Sequence, residues 1–491
     1  MESRSRFRQL LKEIGPGRMM TTAYDTAWVA RLRGLGEPMS EQSLEWLRRS
    51  QLPDGSWGAR DIRYHHDRLV STLAAMTALA REGRPQDRKR WERAQLALET
   101  LTQGLRADPA GETIGFEMIV PSLIAEARFL GLIERQPLEV LNRLARYRAA
   151  KLAALPQGMI NRHVTVAFSA EMAGPDGLKL LDVNDLQERN GSVGHSPSAT
   201  AYFALYVRPG DATALSYLRQ LAVSGAVPNV APFDVFERAW TLWNLALTSP
   251  LDEDLLALCQ PHLEFLEQGW QEGVGIGFAA GYTPKDSDVT SLVFEVLTAF
   301  GRSPDLDAVL RFEEKGHFRC YQLEANPSIS ANIHVLGALR AAGLGVGHPS
   351  VQKALKFLHR TQTLQLFWFD KWHASPYYST AHAVINCAGY DDDLVQDAVY
   401  WILETQQADG SWGYYVPTAE ETAYCLQALV AWKRQGHSLA ENVLERGAAW
   451  LADRVDGPYP PLWIGKCLYC PELVVRSAIL GALLLVEGEV G

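Results

Sequence analysis

Apolar positions along this chain recur mostly at i, i+3, i+4 and i+7. The pattern is clear in "DRLVSTLAAMTALA" (67–80), "PSLIAEARFLGLI" (121–133), "SPSATAYFALYV" (196–207), "DVFERAWTLWNLAL" (234–247) and "EETAYCLQALVAWKRQG" (420–436). That spacing puts an apolar stripe on one face of a helix. Alternating strand patterns are sparse. Pro121 and Pro197 suit a first helical turn and Gly436 suits the position just past a helix end. The expected fold class is all-α, built from many helices of three to four turns.

Between the periodic segments one turn repeats. "QLPDGSWG" begins at Gln51 and "QQADGSWG" at Gln406, with a weaker copy, "QERNGSVG", at Gln187. Asp-Gly or Asn-Gly accommodates the positive φ of a tight turn. Trp can pack on the preceding helix, while Gln and Ser can satisfy loose helix-end groups. The unit staples helix pairs, so its direct reading is structural. Copies far apart imply two related helical barrels.

With 491 residues the chain has room for two or three cores. Its net charge of −10, with no basic stripe, argues against a nucleic-acid partner. The start, "MESRSRFRQLLKEIGPGRMM", lacks the apolar centre of a signal peptide. No apolar run reaches the ~18–20 residues of a membrane span. Six scattered cysteines suggest a reduced, cytoplasmic protein. Cys467 and Cys470 form a lone CxxC without the further ligands zinc needs. Fourteen Trp, and aromatics at 10%, fit either a bulky helical core or a cavity with π-faces. Such faces stabilise a cation by roughly 0.5–2 kcal/mol each.

The Q-x-x-D-G-S-W-G turns, with "TAYDTAWVARL" (22–32), "SPSATAYFAL" and "VPNVAPFDVFERAW" (227–240), resemble the class II terpene cyclases, which start by protonation. The likeness continues through "FGRSPDLDAVLRFE", "PSISANIHVLGAL", "DKWHASPYYSTAHA" and "PLWIGKCLYC". Within the family it resembles the bacterial halimadienyl (tuberculosinyl) diphosphate synthase subgroup. The resemblance implies a βγ pair of α/α barrels. The γ barrel would span residues 21–224, inserted into a β barrel of residues 1–20 and 225–491, with the cavity between them.

The family's D-x-D-D acid motif aligns with "DSDV", making Asp288 the proton donor and Asp286 its neighbour, with Val289 replacing the last Asp. From spacing alone an Asp at this helix start is an N-cap. The two roles are compatible: the acid gives up its proton, and helix N–H groups stabilise the anion. Protonating an unactivated alkene needs a carboxyl kept neutral by burial and a neighbouring carboxylate.

Other roles follow from the resemblance. Trp368, Trp372, Tyr377 and Tyr378, in the aromatic stretch 367–378, are expected to line the cavity. Asn229 matches an Asn that holds a terminal water, and Phe168 stands where its partner His would be. Loss of that His favours rearranged skeletons. His334 is a candidate terminal base. Lys151 is expected to bind diphosphate, with Lys371 and Arg31 as further candidates and Mg2+ carried by the diphosphate. The implied reaction converts geranylgeranyl diphosphate to a bicyclic diterpenyl diphosphate. Farnesyl diphosphate, giving a drimenyl product, is the alternative substrate. A downstream class I synthase or phosphatase would use the product.

Competing readings fare less well. The run "YDDDLVQDA" (390–398) misses the D-D-x-x-D of ionisation-initiated synthases. No room remains for a bifunctional enzyme's third domain. A squalene-type cyclase would carry more turns, and a prenyltransferase subunit would need zinc ligands. A helical scaffold would have no cavity.

Overall fold

The computed structural model of the chain describes residues 2–133, 139–440 and 442–490. Helices dominate, and among the described residues the only paired strands are Trp463–Ile464 and Leu468–Tyr469. Six helices each pack on the next: Asp234–Ala246, Ser287–Ala299, Ile329–Ala341, Pro376–Cys387, Ala419–Arg434 and Glu472–Val490. The last returns to the first and closes a ring. A second ring uses Ala23–Ala30, His65–Glu82, Phe116–Phe129, the 3-10 segment Thr165–Ala173 and Pro197–Tyr202.

The two layers of each ring follow from the sequence. Outer helices are amphipathic: Pro349–Thr361 buries Val351, Ala354, Leu355 and Leu358 and leaves its charged face to water. Inner helices are covered on all sides, so Ile329–Ala341 is buried continuously from Ser330 to Leu339. One apolar core draws on residues from Phe7 to Met19 and from Val230 to Val486. The other runs from Ala23 to Val227 and takes in Cys467. A small third cluster, including Tyr64, Ala374, Leu462 and Leu468, lies where the two meet.

The repeated turns tie each ring together. Trp57 and Trp412 are fully buried, and their indole N–H groups donate to Leu47 and Ile402 carbonyls at 2.8 and 2.7 Å. Gln51 donates to the Gly55 and Arg90 carbonyls, and Gln406 to those of Gly410 and Val443. Gly55 and Gly410 have φ of 90° and 95°, which a side chain would strain. The N–H of each Trp donates to a Thr on the following inner helix, Thr72 or Thr422.

Trp368 belongs to this series. Its N–H donates to Thr380 and its indole to Leu358, and it is fully buried. The turn from Gln362 to Trp368 is thus a fourth copy, in which Leu364 and Gln365 take positive φ where glycine would be easier. Its place in the cavity, expected from the aromatic stretch, is therefore corrected: Trp368 staples helices.

Helix ends agree with the punctuation except at Pro121. Pro197 opens its helix and Ser196 caps it, accepting from Ala199 N–H. Gly436, at φ 92°, follows the Ala419–Arg434 helix. Pro121, expected in a first turn, lies inside Phe116–Phe129. The apolar face of Phe116, Ile119, Val120 and Leu123 extends that helix upstream of it. Packing there outweighs the hydrogen bond a proline cannot make.

Candidate active site

A cavity of about 570 Å³ lies where the two rings meet. Its apolar wall comes from both: Met118, Ile160 and Met172 on one side, Val230, Phe236 and Phe278 on the other. Aromatic faces abut one another there, with Phe233 stacked on Phe236 at 4.3 Å and Phe278 against Tyr282 at 4.0 Å. Trp372, Trp463 and Tyr469 add further π-faces. Such a lining offers a migrating cation quadrupoles and few bases.

Asp286 and Asp288 both line this cavity. They sit at the start of Ser287–Ala299 for different reasons. Asp286 is the N-cap and accepts from the Val289 N–H at 2.7 Å. Burial raises its pKa to about 7, with Asp288 pushing in the same direction against the Val289 hydrogen bond and Lys285. Asp288, in the first turn, is not a cap. Its Oδ1 lies 2.7 Å from Nδ1 of His334, which is fully buried on the neighbouring inner helix. Val289 contributes its N–H to Asp286 and its side chain to the core. The polar partner of Asp288 thus comes from another helix, not from the next residue of the motif.

His334 Nε2 lies 2.8 Å from His382 Nδ1. Burial disfavours charging the His334 ring, but the Asp288 carboxylate, its hydrogen bond and Glu295 outweigh that and raise its pKa. Burial, His334 and His373 all drive the pKa of His382 down, so His382 is neutral. A consistent assignment has His382 donating from Nδ1 to His334 Nε2, and His334 donating from Nδ1 to Asp288. That leaves Asp288 Oδ2 for the cavity. His334 therefore stands beside the acid and is not among the cavity-lining residues, which corrects its expected role as a terminal base.

The remaining expected residues divide. Asn229, Phe168, Trp372 and Lys151 line the cavity. Asn229 donates to buried Asp25 at 2.9 Å and leaves its own Oδ1 without a protein partner. Phe168 lies under the Lys466 ammonium, 4.5 Å from ring centre to Nζ. Lys151 pairs with Glu117 at 2.9 Å.

Four more placements are corrected alongside Trp368. Tyr377 stacks on Trp401 of an outer helix at 4.6 Å, so it fills the core. Tyr378 is buried behind the wall, where its hydroxyl accepts from Trp240. Lys371 is held by Glu324 and the Asn326 carbonyl behind the rings of Tyr321 and Trp372, and does not itself line the cavity. Arg31 is likewise spent, on Glu126 and Thr77. Tyr377 and Tyr378 are adjacent on an inner helix and cannot both face one space, Trp368 sits in a turn before it, and the cavity instead collects single rings from separate segments. Sequence reasoning missed Phe233, Phe236, Phe278 and Tyr282 for that reason.

No group of three or more His, Cys, Asp or Glu among the described residues is placed to hold a metal. The carboxyls near Lys151 are Glu117, already paired, and Glu112, whose pKa is raised by burial and by Glu117. These residues do not fit a resident Mg2+. Cys467 and Cys470 are buried free thiols beside the strand pair. The acidic run at 390–398 caps an outer helix, with Asp391 accepting from Leu394 N–H. No helix among the described residues is long and apolar enough to cross a membrane.

Comparison with known proteins gives the same direction. Residues 321–458 match the squalene-hopene cyclase C-terminal domain. The chain is 46% identical to a type B diterpene cyclase of Mycobacterium tuberculosis, over 98% of this chain and 99% of the other. It is 32% identical to a copalyl diphosphate synthase of Streptomyces anulatus, over 96% and 89%. The solved ent-copalyl diphosphate synthase from Streptomyces platensis superposes with a TM-score of 0.79 at 30% identity, over 99% and 100% of the two chains. The likeness runs along the whole chain, which belongs to the class II, protonation-initiated diterpene cyclases.

Proposed function

We propose that the protein converts geranylgeranyl diphosphate to a bicyclic diterpenyl diphosphate of halimadienyl, kolavenyl or copalyl type. The observation that carries this reading is the Asp286–Asp288 pair at the wall of an aromatic cavity, with Asp288 hydrogen-bonded to a buried histidine. Asp288 gives the proton on its cavity-facing oxygen to the terminal alkene, forming a C–H bond and a tertiary cation. The His334 N–H holds the carboxylate left behind. Neighbouring alkenes close the rings, and water-poor walls let the cation migrate. A proton is finally lost to a water beside Asn229. No step breaks the bond to the diphosphate.

Lys151 meets the diphosphate by exchanging its Glu117 partner for the phosphate oxygens, and Mg2+ travels as the diphosphate's own counter-ion. The two apolar cores serve as the β and γ domains. The enzyme works in the cytoplasm, and a class I synthase or a phosphatase takes its product.

The test is incubation with geranylgeranyl and farnesyl diphosphate separately, followed by dephosphorylation and gas chromatography–mass spectrometry. A cyclised C20 alcohol, appearing only after dephosphorylation, is expected. A hydrocarbon released directly with inorganic diphosphate would overturn the reading. A cyclised C15 alcohol alone would assign the drimenyl reaction.

The rate should also depend on pH in a definite sense. The pair must hold a proton, and Asp286 loses its own near pH 7. Once that proton is lost, the pair has none left for Asp288 to deliver. Activity should therefore be full below pH 7 and fall as pH rises through it, by about tenfold per unit above. In Asp286→Asn this decline should move to lower pH in the profile of kcat/KM, because the neighbouring carboxylate no longer helps keep the proton on the acid. A profile that stays flat through pH 9 in the unaltered enzyme would refute the shared-proton account.

A further inference from the structure

Behind Asp288 a column of buried polar groups runs away from the cavity. His334 joins Asp288 to His382, as described above, and the bare Nε2 of His382 has no protein partner. Trp243 stacks on the His382 ring at 4.6 Å with the planes 25° apart, and its indole donates to Glu295 Oε2 at 3.1 Å. Glu295 Oε1 and Asn386 Nδ2 are also buried without partners. Three orphaned polar atoms in one region mark a place where ordered water completes the network.

The backbone is shaped to let these groups meet. A Cβ on Gly337 would stand 2.3 Å from Glu295 Oε1 and 2.6 Å from Asn386 Oδ1. Only a glycine there allows the two side chains to converge over the helix. Beyond them, Arg340 donates to the Asn386 and Ala388 carbonyls and covers Tyr390 at a partly exposed edge. Glu295 is partly exposed as a residue while its Oε1 is buried, so the carboxyl lies one step in from solvent.

The reaction creates a demand this column can meet. Each turnover takes a proton from Asp288, and the product loses one at a different carbon, towards Asn229. Asp288 must be recharged. We propose that Glu295 returns that proton through His382 and His334, a step that rests on Asp288 being the donor. The Glu295 carboxyl passes a proton, through bridging water, to His382 Nε2. His382 releases its Nδ1 proton to His334 Nε2, and His334 releases its Nδ1 proton to the Asp288 carboxylate. Each ring gains one proton and loses one; the proton arrives on Asp288 Oδ1 and is turned to the cavity by rotation of the carboxyl, the two rings flip to restore their starting tautomers before the next turnover, and the Glu295 carboxylate takes its replacement from solvent.

The electrostatics suit the direction of transfer. Burial raises the Glu295 pKa to about 7, against His334, Trp243 and Arg340, which lower it. A carboxyl at that level still holds a proton to give near neutral pH, and His382, driven well below its ordinary value by burial, His334 and His373, passes the proton on and does not trap it. Glu295 never touches substrate and acts only through the histidines.

The experiment separates first from later turnovers. Wild type, Glu295→Gln and Gly337→Ala are compared with geranylgeranyl diphosphate under enzyme excess and at steady state, with circular dichroism to check folding. In Glu295→Gln the first turnover should stay within about threefold of wild type, since Asp288 starts charged, while steady-state kcat falls at least about tenfold. A burst of one product per enzyme should appear. Gly337→Ala, whose Cβ would displace Glu295 Oε1 from the column, should show the same split, and it decides the matter if the Gln variant does not fold. Equal losses in both regimes, or no loss in either, would overturn the relay. Wild-type enzyme forming no cyclised product in its first turnover would instead overturn the reading of Asp288, and the relay with it.

Discussion

Asp288→Asn is expected to reduce cyclisation by about a thousandfold or more while leaving the fold intact. The loss is large because nothing else at that point can replace the proton. General acid catalysis alone is worth about 10²–10⁴-fold, and an uncatalysed alkene has no competing route to a tertiary cation. The fold should survive because Asp288 caps nothing: the helix N-terminus is satisfied by Asp286, which accepts from Val289 N–H. Asn also keeps an oxygen for the His334 N–H. The comparison with Asp286→Asn is informative. That residue holds the helix start and tunes the pair; Asn caps about as well as Asp, so its variant should keep its stability and keep measurable turnover. Product yield after dephosphorylation, with thermal melting in parallel, reads both. An Asp288→Asn enzyme with activity near wild type would remove Asp288 from the chemistry.

The helical repeat was legible because it recurs. Q-x-x-D-G-S-W-G needs its glycine, its tryptophan and its Thr partner in fixed places, and three copies stood out. The fourth, ending at Trp368, was hidden because Leu364 and Gln365 hold the turn without glycine. The acid pair was legible through its motif, since "DSDV" at a helix start is compact in sequence. Its support was not. His334 and His382 lie 46 and 48 residues apart from their partners along the chain. Only the ring of inner helices brings them to one level. A lone His on a buried helix carries no sign of whether it faces another. The aromatic wall failed for the same reason in reverse. Residues 367–378 are dense in rings, but they run from a turn through a loop into the first turn of the Pro376–Cys387 helix, and their side chains point in different directions. Only Trp372 of the four reaches the cavity.

Lys466→Met should destabilise the protein more than any cap or turn variant, by about 3–5 kcal/mol. Lys466 lies in the turn between strands Trp463–Ile464 and Leu468–Tyr469, and its ammonium is fully buried. All three of its protons are used, on Glu171 at 2.7 Å and on Ser196 and Ser198 at 2.6 Å. Those partners belong to the other ring, as do the Ile114 N–H that donates to Gly465 and the Asp67 carboxylate that accepts from Leu468. The turn is therefore the clasp of the two rings, and the same hairpin lends Trp463, Ile464, Gly465 and Tyr469 to the cavity wall. Removing the ammonium leaves Glu171 as a buried charge whose remaining partners are only the Tyr24 and Ser198 hydroxyls. That uncompensated charge, not the lost attraction, is the main cost. The double variant Lys466→Met/Glu171→Gln should consequently recover most of the stability, since neither charge is then buried. Urea unfolding monitored by tryptophan fluorescence would read the cycle, and the single variant should separate one transition into two as the rings uncouple. Equal stability in the single and double variants would mean that the clasp is held by packing alone, with the ion pair contributing nothing.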